Sequence, residues 1–283
     1  MSIAFPSEIP FEESEWNHKD IKIDLELIDC TLCGSPDYKT ILIERDIETG
    51  IGGSFRVVQC SDCGLVYTNP RPTPESIGLF YQDDYECYTS YKEDHSKQAR
   101  WRHELEQAVL QTYYGYPAEK ITLATKMKAW WGNIRISRNR QRMGWIPFRS
   151  PGRLLDFGCG AGGFLRQMQS HGWQVEGLDF SELVANQVTE ETGIPVHIGT
   201  LPHPQVKPNS YDTISLWNAL EHVHSPSETI QAVKEALRPG GLMVIGVPNS
   251  GSFGFETFQN DWFALKLPRH LTHFTPDSLT KLL

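Results

Sequence analysis

No apolar run in this sequence is long enough to cross a bilayer. The longest near-continuous one, Leu242 to Val247, falls far short of the ~20 residues a spanning helix needs. Basic residues are missing from Met1 to Trp16, where four Glu stand, and this excludes a secretory signal or a transit peptide. Internal repeats and low-complexity tracts are absent too, so neither a solenoid nor a disordered linker protein is expected. Cysteine is scarce, six in 283 residues, and four of the six form two tight pairs. In a chain without a signal peptide such pairs read as metal ligands rather than disulfides. Together these absences predict a soluble, cytoplasmic protein.

What is present is ordinary for a globular chain, with 39% hydrophobic and 22% charged residues. The length suits one substantial core plus a smaller module. The net charge of −9 is unevenly spread. Residues 1–96 hold 7 basic and 19 acidic side chains, residues 97–149 hold 11 and 3, and residues 150–283 hold 8 and 13. Three segments with different roles are implied. An acidic whole disfavours a general nucleic-acid binder, because neutralising phosphates needs a basic face.

The chain opens with an acidic leader, residues 1–20. Short β-like stretches follow at Ile21–Leu27, Tyr38–Ile43, Phe55–Gln59 and Leu65–Tyr67. The proline-rich run from Asn69 to Pro74 predicts a linker. Aromatics crowd the next stretch (Phe80, Tyr81, Tyr85, Tyr88, Tyr91), and Lys97 to Met143 reads as helical with a break near Gly115 and Pro117. From Arg153 strands and helices alternate. Strands are expected at Leu154–Phe157, Val175–Leu178, Pro195–Ile198, Thr213–Trp217 and Leu242–Val247, with helices at Gly162–His171, Glu182–Thr192 and Ser227–Leu237. That alternation predicts a doubly wound α/β sheet built by right-handed crossovers.

The first of these strands runs into Asp156-Phe157-Gly158-Cys159-Gly160-Ala161-Gly162-Gly163, and the second ends at Asp179. Glycines let a ligand lie against the backbone, a helix start offers unpaired N–H groups, and a carboxylate after the second strand can grip ribose hydroxyls. The same residues satisfy the G-x-G-x-x-G fingerprint of nicotinamide oxidoreductases. Asp156 argues against a pyrophosphate and for a cationic ligand. Cys159 reads as a small residue packed behind the cofactor.

Tyr211 to Val223 and Leu237 to Leu242 complete an ordered set of segments that resembles class I S-adenosylmethionine-dependent methyltransferases over residues 152–283. The resemblance implies a Rossmann-like sheet of order 3-2-1-4-5 that binds S-adenosyl-L-methionine. It places Asp156, Gly158, Gly160 and Gly162 at the methionine end and Asp179 on the ribose. Phe180 and Leu201 are the candidates for the adenine walls, and Trp217 and Asn218 for contacts near the amino acid. Strands six and seven of that fold are missing before Leu283. The fifth strand is therefore expected as an edge, in a shortened chain or under cover of the N-terminal module or a second subunit.

Cys30-x-x-Cys33-Gly34 and Cys60-x-x-Cys63-Gly64 are two knuckles whose thiolates can share one tetrahedral ion. Four filled positions make a structural Zn2+ site, a zinc ribbon over residues 21–70. A ribbon ahead of a methyltransferase core, together with Pro268 to Pro276, resembles deoxysugar C-methyltransferases and related saccharide-cluster enzymes, although their further C-terminal domain has no counterpart here. That resemblance implies a small-molecule acceptor, a sugar or nucleotide sugar. A nucleic-acid methyltransferase gripping through the ribbon is the alternative. The expected domains are the leader 1–20, the ribbon 21–70, a linker and basic helical segment 71–149, and the methyltransferase domain 150–283.

Lys120 to Arg149 holds eight basic residues, and Leu123, Met127, Trp130 and Ile134 share one helical stripe. Three readings stay open: a helical subdomain with a solvated face, a wall for a phosphate-bearing substrate, or peripheral membrane contact. An N/D-P-P-Y/F motif, associated with amino-group methylation, is absent after the fourth strand, which favours an oxygen or carbon acceptor. His222, with Glu221 as orienter, is then the first candidate for the proton-removing base. His270 and His273 are the second, and Tyr81 or Tyr85 is a candidate to close the site from the linker.

Overall fold

The computed structural model describes residues 23–81, 96–118, 120–137, 146–149 and 152–283. The acidic leader, Tyr85, Tyr88, Tyr91 and the arginines at 138, 140 and 142 lie outside the described residues. The strands in chain order are β1 (Leu25–Glu26), β2 (Tyr38–Arg45), β3 (Ser54–Cys60), β4 (Val66–Thr68) and β5 (Arg71–Pro72). Two helices follow, α1 (Lys97–Tyr113) and α2 (Leu123–Ser137). Then come β6 (Arg153–Phe157), α3 (Gly163–Ser170), β7 (Gln174–Asp179), α4 (Glu182–Thr192), β8 (Val196–Ile198) and β9 (Tyr211–Trp217). The chain continues with α5 (Pro226–Ala236), β10 (Leu237–Gly246), α6 (Phe253–Phe258), β11 (Thr272–His273) and α7 (Pro276–Leu282).

Two compact units emerge. One comprises Glu86–Trp217 and Val233–Ile245, the other Met1–Tyr85, Asn218–Ala232 and Gly246–Leu283. This division differs from the contiguous one expected from the sequence, since residues 246–283 join the cysteine-bearing segment. The reason is local pairing: Thr272 and His273 of β11 align antiparallel with Tyr67 and Val66 of β4.

In the first unit five strands stand in the order β10-β9-β6-β7-β8. Numbered by position along the domain and taken from the β8 edge, this is 3-2-1-4-5, as expected. β6 pairs in parallel with both β7 and β9, and β7 with β8. β6, with Leu154 and Leu155 fully buried, lies at the middle, and α3 and α4 cover it with Leu165, Met168, Val184 and Val188. Polar side chains pin the sheet's register. Glu176 on β7 accepts from Arg153 Nη2 on β6 at 2.6 Å and from Tyr211 Oη on β9 at 2.8 Å. Asp212 accepts the N–H groups of Gly152 and Arg153 and pairs with Arg238 at 2.8 Å. α1 and α2 pack so closely that a Cβ on Gly132 would stand 2.9 Å from Val109. Ala108, Val109 and Ala129 form the contact.

In the second unit β2, β3, β4 and β11 form an antiparallel sheet of order β11-β4-β3-β2. Its core is Phe55, Val57, Phe80, Trp262 and Leu265. The expected linker at Asn69–Pro74 is a correction, because Asn69 and Arg71 are buried here. The amide of Asn69 acts as a strand backbone would, accepting from Ile28 N–H and donating to Ile28 O, each at 3.1 Å. Arg71 Nε donates to Glu26 at 2.7 Å and its Nη1 to the His224 carbonyl at 2.8 Å. Polar residues that replace backbone pairing can sit inside a unit, which a reading of proline content alone misses.

Candidate active site and cysteine centre

The glycine turn follows β6 because each of its glycines takes a conformation that a side chain resists. Gly158, Gly160 and Gly162 have φ of 72°, 49° and 73°, in the left-handed region. Gly162 caps α3, and a Cβ there would lie 2.8 Å from Val188. The turn is tied to β7: Gly158 N–H donates to Leu178 O at 2.7 Å, and Gly160 N–H to Asp179 Oδ2 at 2.9 Å. Asp179 Oδ1 accepts from Ser181 N–H at 3.0 Å, so both its oxygens are oriented and each keeps a second lone pair. Cys159 is buried, its thiol pushed well up by desolvation, which leaves it a packing residue rather than a nucleophile.

Asp156 is buried at the end of β6 and accepts from Ser215 Oγ at 2.7 Å. Burial pushes its carboxyl up to about 7, and the negative charge of Asp179 adds to the rise. Two neighbouring buried carboxylates would repel a pyrophosphate and welcome a cation. Trp217, at the end of β9, packs edge-on against Phe164 of α3 with ring centroids 5.9 Å apart. Its buried indole Nε1 has no hydrogen-bond partner among the described residues, so a donor stands ready for a ligand acceptor. Cationic preference plus a free donor fits an amino-acid-bearing sulfonium cofactor. Of the proposed adenine walls Phe180 is exposed and Leu201 buried. Asn218, in the other unit, sits at φ 49° and donates its N–H to Gly246 O at 2.7 Å.

The four cysteines of the second unit come together. Cys30 Sγ lies 3.4 Å from Cys63 Sγ, and Cys33 Sγ 3.5 Å from Cys60 Sγ. A disulfide would hold the sulfurs near ~2.05 Å, whereas four thiolates on one zinc stand about 3.8 Å apart, from Zn–S bonds of ~2.3 Å. Matching turns build the two knuckles, with Gly34 N–H donating to Cys30 O and Gly64 N–H to Cys60 O. The glycines adopt φ of 74° and 79°.

The histidines also gather within this unit. Leu220–His222 is a single 3-10 turn, and Glu221 O accepts from Leu271 N–H at 2.8 Å, which holds the 269–273 segment against it. His222 Nδ1 lies 2.7 Å from Tyr81 Oη and 3.0 Å from Arg269 O. His270 meets His222 edge-on at 4.6 Å. His273 Nε2 lies 3.4 Å from Thr68 Oγ1. Burial drives all three imidazoles down, His222 to about 3 and His273 to about 4, and it drives Glu221 up to about 8. Glu221, His222, His270 and Tyr81 are thus brought together, while the expectation of a single base titrating near neutrality has no support in this burial. The sequence missed Arg269, whose buried side chain pairs with Glu48.

A family model described as a methyltransferase domain matches residues 131–283. The chain belongs to the methyltransferase-domain family. Its α/β unit has the Rossmann-like parallel sheet of the S-adenosylmethionine-dependent methyltransferases. A ubiquinone biosynthesis O-methyltransferase of Burkholderia vietnamiensis is 32% identical over 142 residues, 46% of this chain and 61% of the relative. The methyltransferase chain thus spans less than two thirds of the curated relatives it matches. An S-adenosylmethionine dependent methyltransferase of known structure from Mesorhizobium loti is 32% identical, with 34% of this chain and 46% of that one covered and a TM-score of 0.32. One from Thermotoga maritima, described as a possible histamine N-methyltransferase, is 18% identical over 66% and 73% of the two chains, with a TM-score of 0.39. Among the described residues no helix is long and apolar enough to cross a membrane.

Proposed function

We propose that this chain transfers the methyl group of S-adenosyl-L-methionine to an oxygen of a small-molecule acceptor. The observation that carries the reading is the glycine turn bound to Asp179, beside the buried, cation-seeking Asp156. The O-methyltransferase relatives favour oxygen over carbon. A sulfonium methyl moves by in-line attack, so the protein's work is alignment and removal of the acceptor's proton. Glu221, His222 and His270 are the groups proposed for that proton, acting as one cluster, with His273 behind them and Tyr81 orienting His222. The acceptor class inferred from the ribbon is a saccharide or a phosphate-bearing sugar, and the ribbon itself is proposed to hold one structural zinc ion. Incubation with methyl-labelled S-adenosylmethionine and a panel of hydroxylated, carbon-acid and amine acceptors tests this. Label in an ether product is the expected result, and label only in amines would overturn it.

A second reading concerns α2. Leu123, Met127, Trp130, Trp131 and Ile134 fall within one stripe about 100° wide and are all exposed, Leu123 at 76% and Trp130 at 58%. Ala129 and Gly132 occupy the opposite, buried face, against α1. Lys126 and Lys128 are exposed beside the stripe. An apolar stripe flanked by lysines suits the surface of an anionic membrane. Flotation with anionic vesicles but not with zwitterionic ones is expected, and Trp130→Ala should weaken it. Equal recovery with both vesicle types, or with neither, contradicts membrane contact.

A further inference from the structure

Glu221 is 1% exposed, and neither of its carboxylate oxygens has a hydrogen-bond partner among the described residues. A buried carboxylate with no donor is costly, and native structures keep one only where something else satisfies it. The nearest imidazole does not supply a donor. His270 Nε2 stands 3.9 Å from Glu221 Oε1, beyond hydrogen-bond range. His270 Nδ1 faces the carbonyl oxygen of Ala264 at 2.9 Å. A carbonyl oxygen only accepts, so Nδ1 carries the proton and Nε2 presents a bare lone pair.

The same logic fixes His222. Its Nδ1 lies between two oxygens, Arg269 O at 3.0 Å and Tyr81 Oη at 2.7 Å. If the phenol donated to Nδ1, a ring lone pair would face the carbonyl lone pairs, which repel it. An Nδ1–H shared by both oxygens has no such conflict and leaves Nε2 bare. One carboxylate and two imidazoles therefore converge, with one ligand atom from each lying within 4.8 Å of the others.

We propose that Glu221, His222 and His270 bind one divalent transition-metal ion of the Zn2+, Mn2+ or Fe2+ class. Two imidazole nitrogens and one carboxylate select this class over Ca2+ and Mg2+, which prefer oxygen alone, and over the soft ions that favour thiolates. Both imidazoles are anchored through Nδ1–H on backbone carbonyls, which fixes ring orientation and raises ligand basicity. Bonds of ~2.1 Å place tetrahedral ligands about 3.4 Å apart, so the 3.9 Å gap between Glu221 and His270 would close by about half an ångström, and no gap in the cluster by more than about 1.4 Å. Three protein ligands leave a coordination position for water or a hydroxyl, whose proton the ion would make easier to lose. Use of that position by an acceptor rests on the methyl-transfer proposal, whereas binding of the ion does not.

Equilibrium dialysis of the full chain against Zn2+, and in parallel against Mn2+ followed by electron paramagnetic resonance, tests the site. Mn2+ is a poor competitor at four thiolates, so it reports on this cluster. The wild type should bind one more Zn2+ than Glu221→Gln, and Mn2+ at least tenfold more tightly than Glu221→Gln or His270→Gln. A wild-type Tm that rises with Mn2+, beside a Glu221→Gln Tm that does not, supports the site equally should His270→Gln fail to fold. The same Zn2+ count and the same Mn2+ affinity in wild type and Glu221→Gln would overturn the site, whatever methyl transfer does.

Discussion

The carboxylate of Asp179 accepts the amide hydrogen of Gly160 at 2.9 Å, so the end of β7 closes the turn that follows β6. One residue thereby shapes the loop and presents the lone pairs that the ribose would use. Asp179→Ala removes both functions. A hydrogen bond to a charged group contributes about 1.5–3 kcal/mol, so S-adenosylhomocysteine affinity should fall by roughly ten- to a hundredfold by calorimetry. Unchanged affinity would remove Asp179 from the cofactor site.

Asp156 should make the ligand-free chain's stability fall with rising pH. Its carboxyl is pushed up to about 7 in the fold from an ordinary value near 3.8. Between these values the folded state holds more protons than the unfolded one, so stability declines as pH rises through that window and is fully present below it. A shift of about three units corresponds to at most roughly 4 kcal/mol. Asp156→Asn should flatten the profile of chemical unfolding between about pH 4 and 7. A profile equally steep in the variant would assign the dependence to other groups.

Zinc should be present at one equivalent or more in freshly purified protein and should support folding of the β2–β4 sheet. Chelation, or Cys60→Ser, is expected to lower Tm and release cooperativity in that unit, as followed by circular dichroism. Less than about half an equivalent of zinc, with no change on chelation, would contradict a metal at the four thiolates.

His222→Ala should leave S-adenosylhomocysteine affinity within about twofold and reduce turnover on an identified acceptor by at least about tenfold, the low end for losing a proton-handling group. Initial rates at saturating cofactor measure it. Full turnover in the variant would shift the role to His270 or His273.

Much of the α/β unit was legible because its signals are local. α4 runs from Glu182 to Thr192 as its sequence implies, with Ser181 capping its start and Gly193, at φ 70°, its end. The glycine turn and the cysteine knuckles were equally clear, since each declares itself within a few residues. β11 was not, because its two residues become a strand only by pairing with β4, roughly two hundred positions earlier. β10 begins at Leu237 rather than Leu242, across an Arg-Pro-Gly-Gly run that reads as a turn. Glu221, His222 and His270 stand out in the sequence by their chemistry. The carbonyls of Ala264 and Arg269 that fix their tautomers follow from backbone placement, which no spacing rule contains.

The most direct test is calorimetric titration of the full chain with S-adenosylhomocysteine and, separately, with NADH and NADPH. The sulfonium-cofactor reading predicts one-to-one binding of S-adenosylhomocysteine, weakened in Asp179→Ala, and no heat from either nicotinamide. Tight nicotinamide binding without any S-adenosylhomocysteine binding would contradict it.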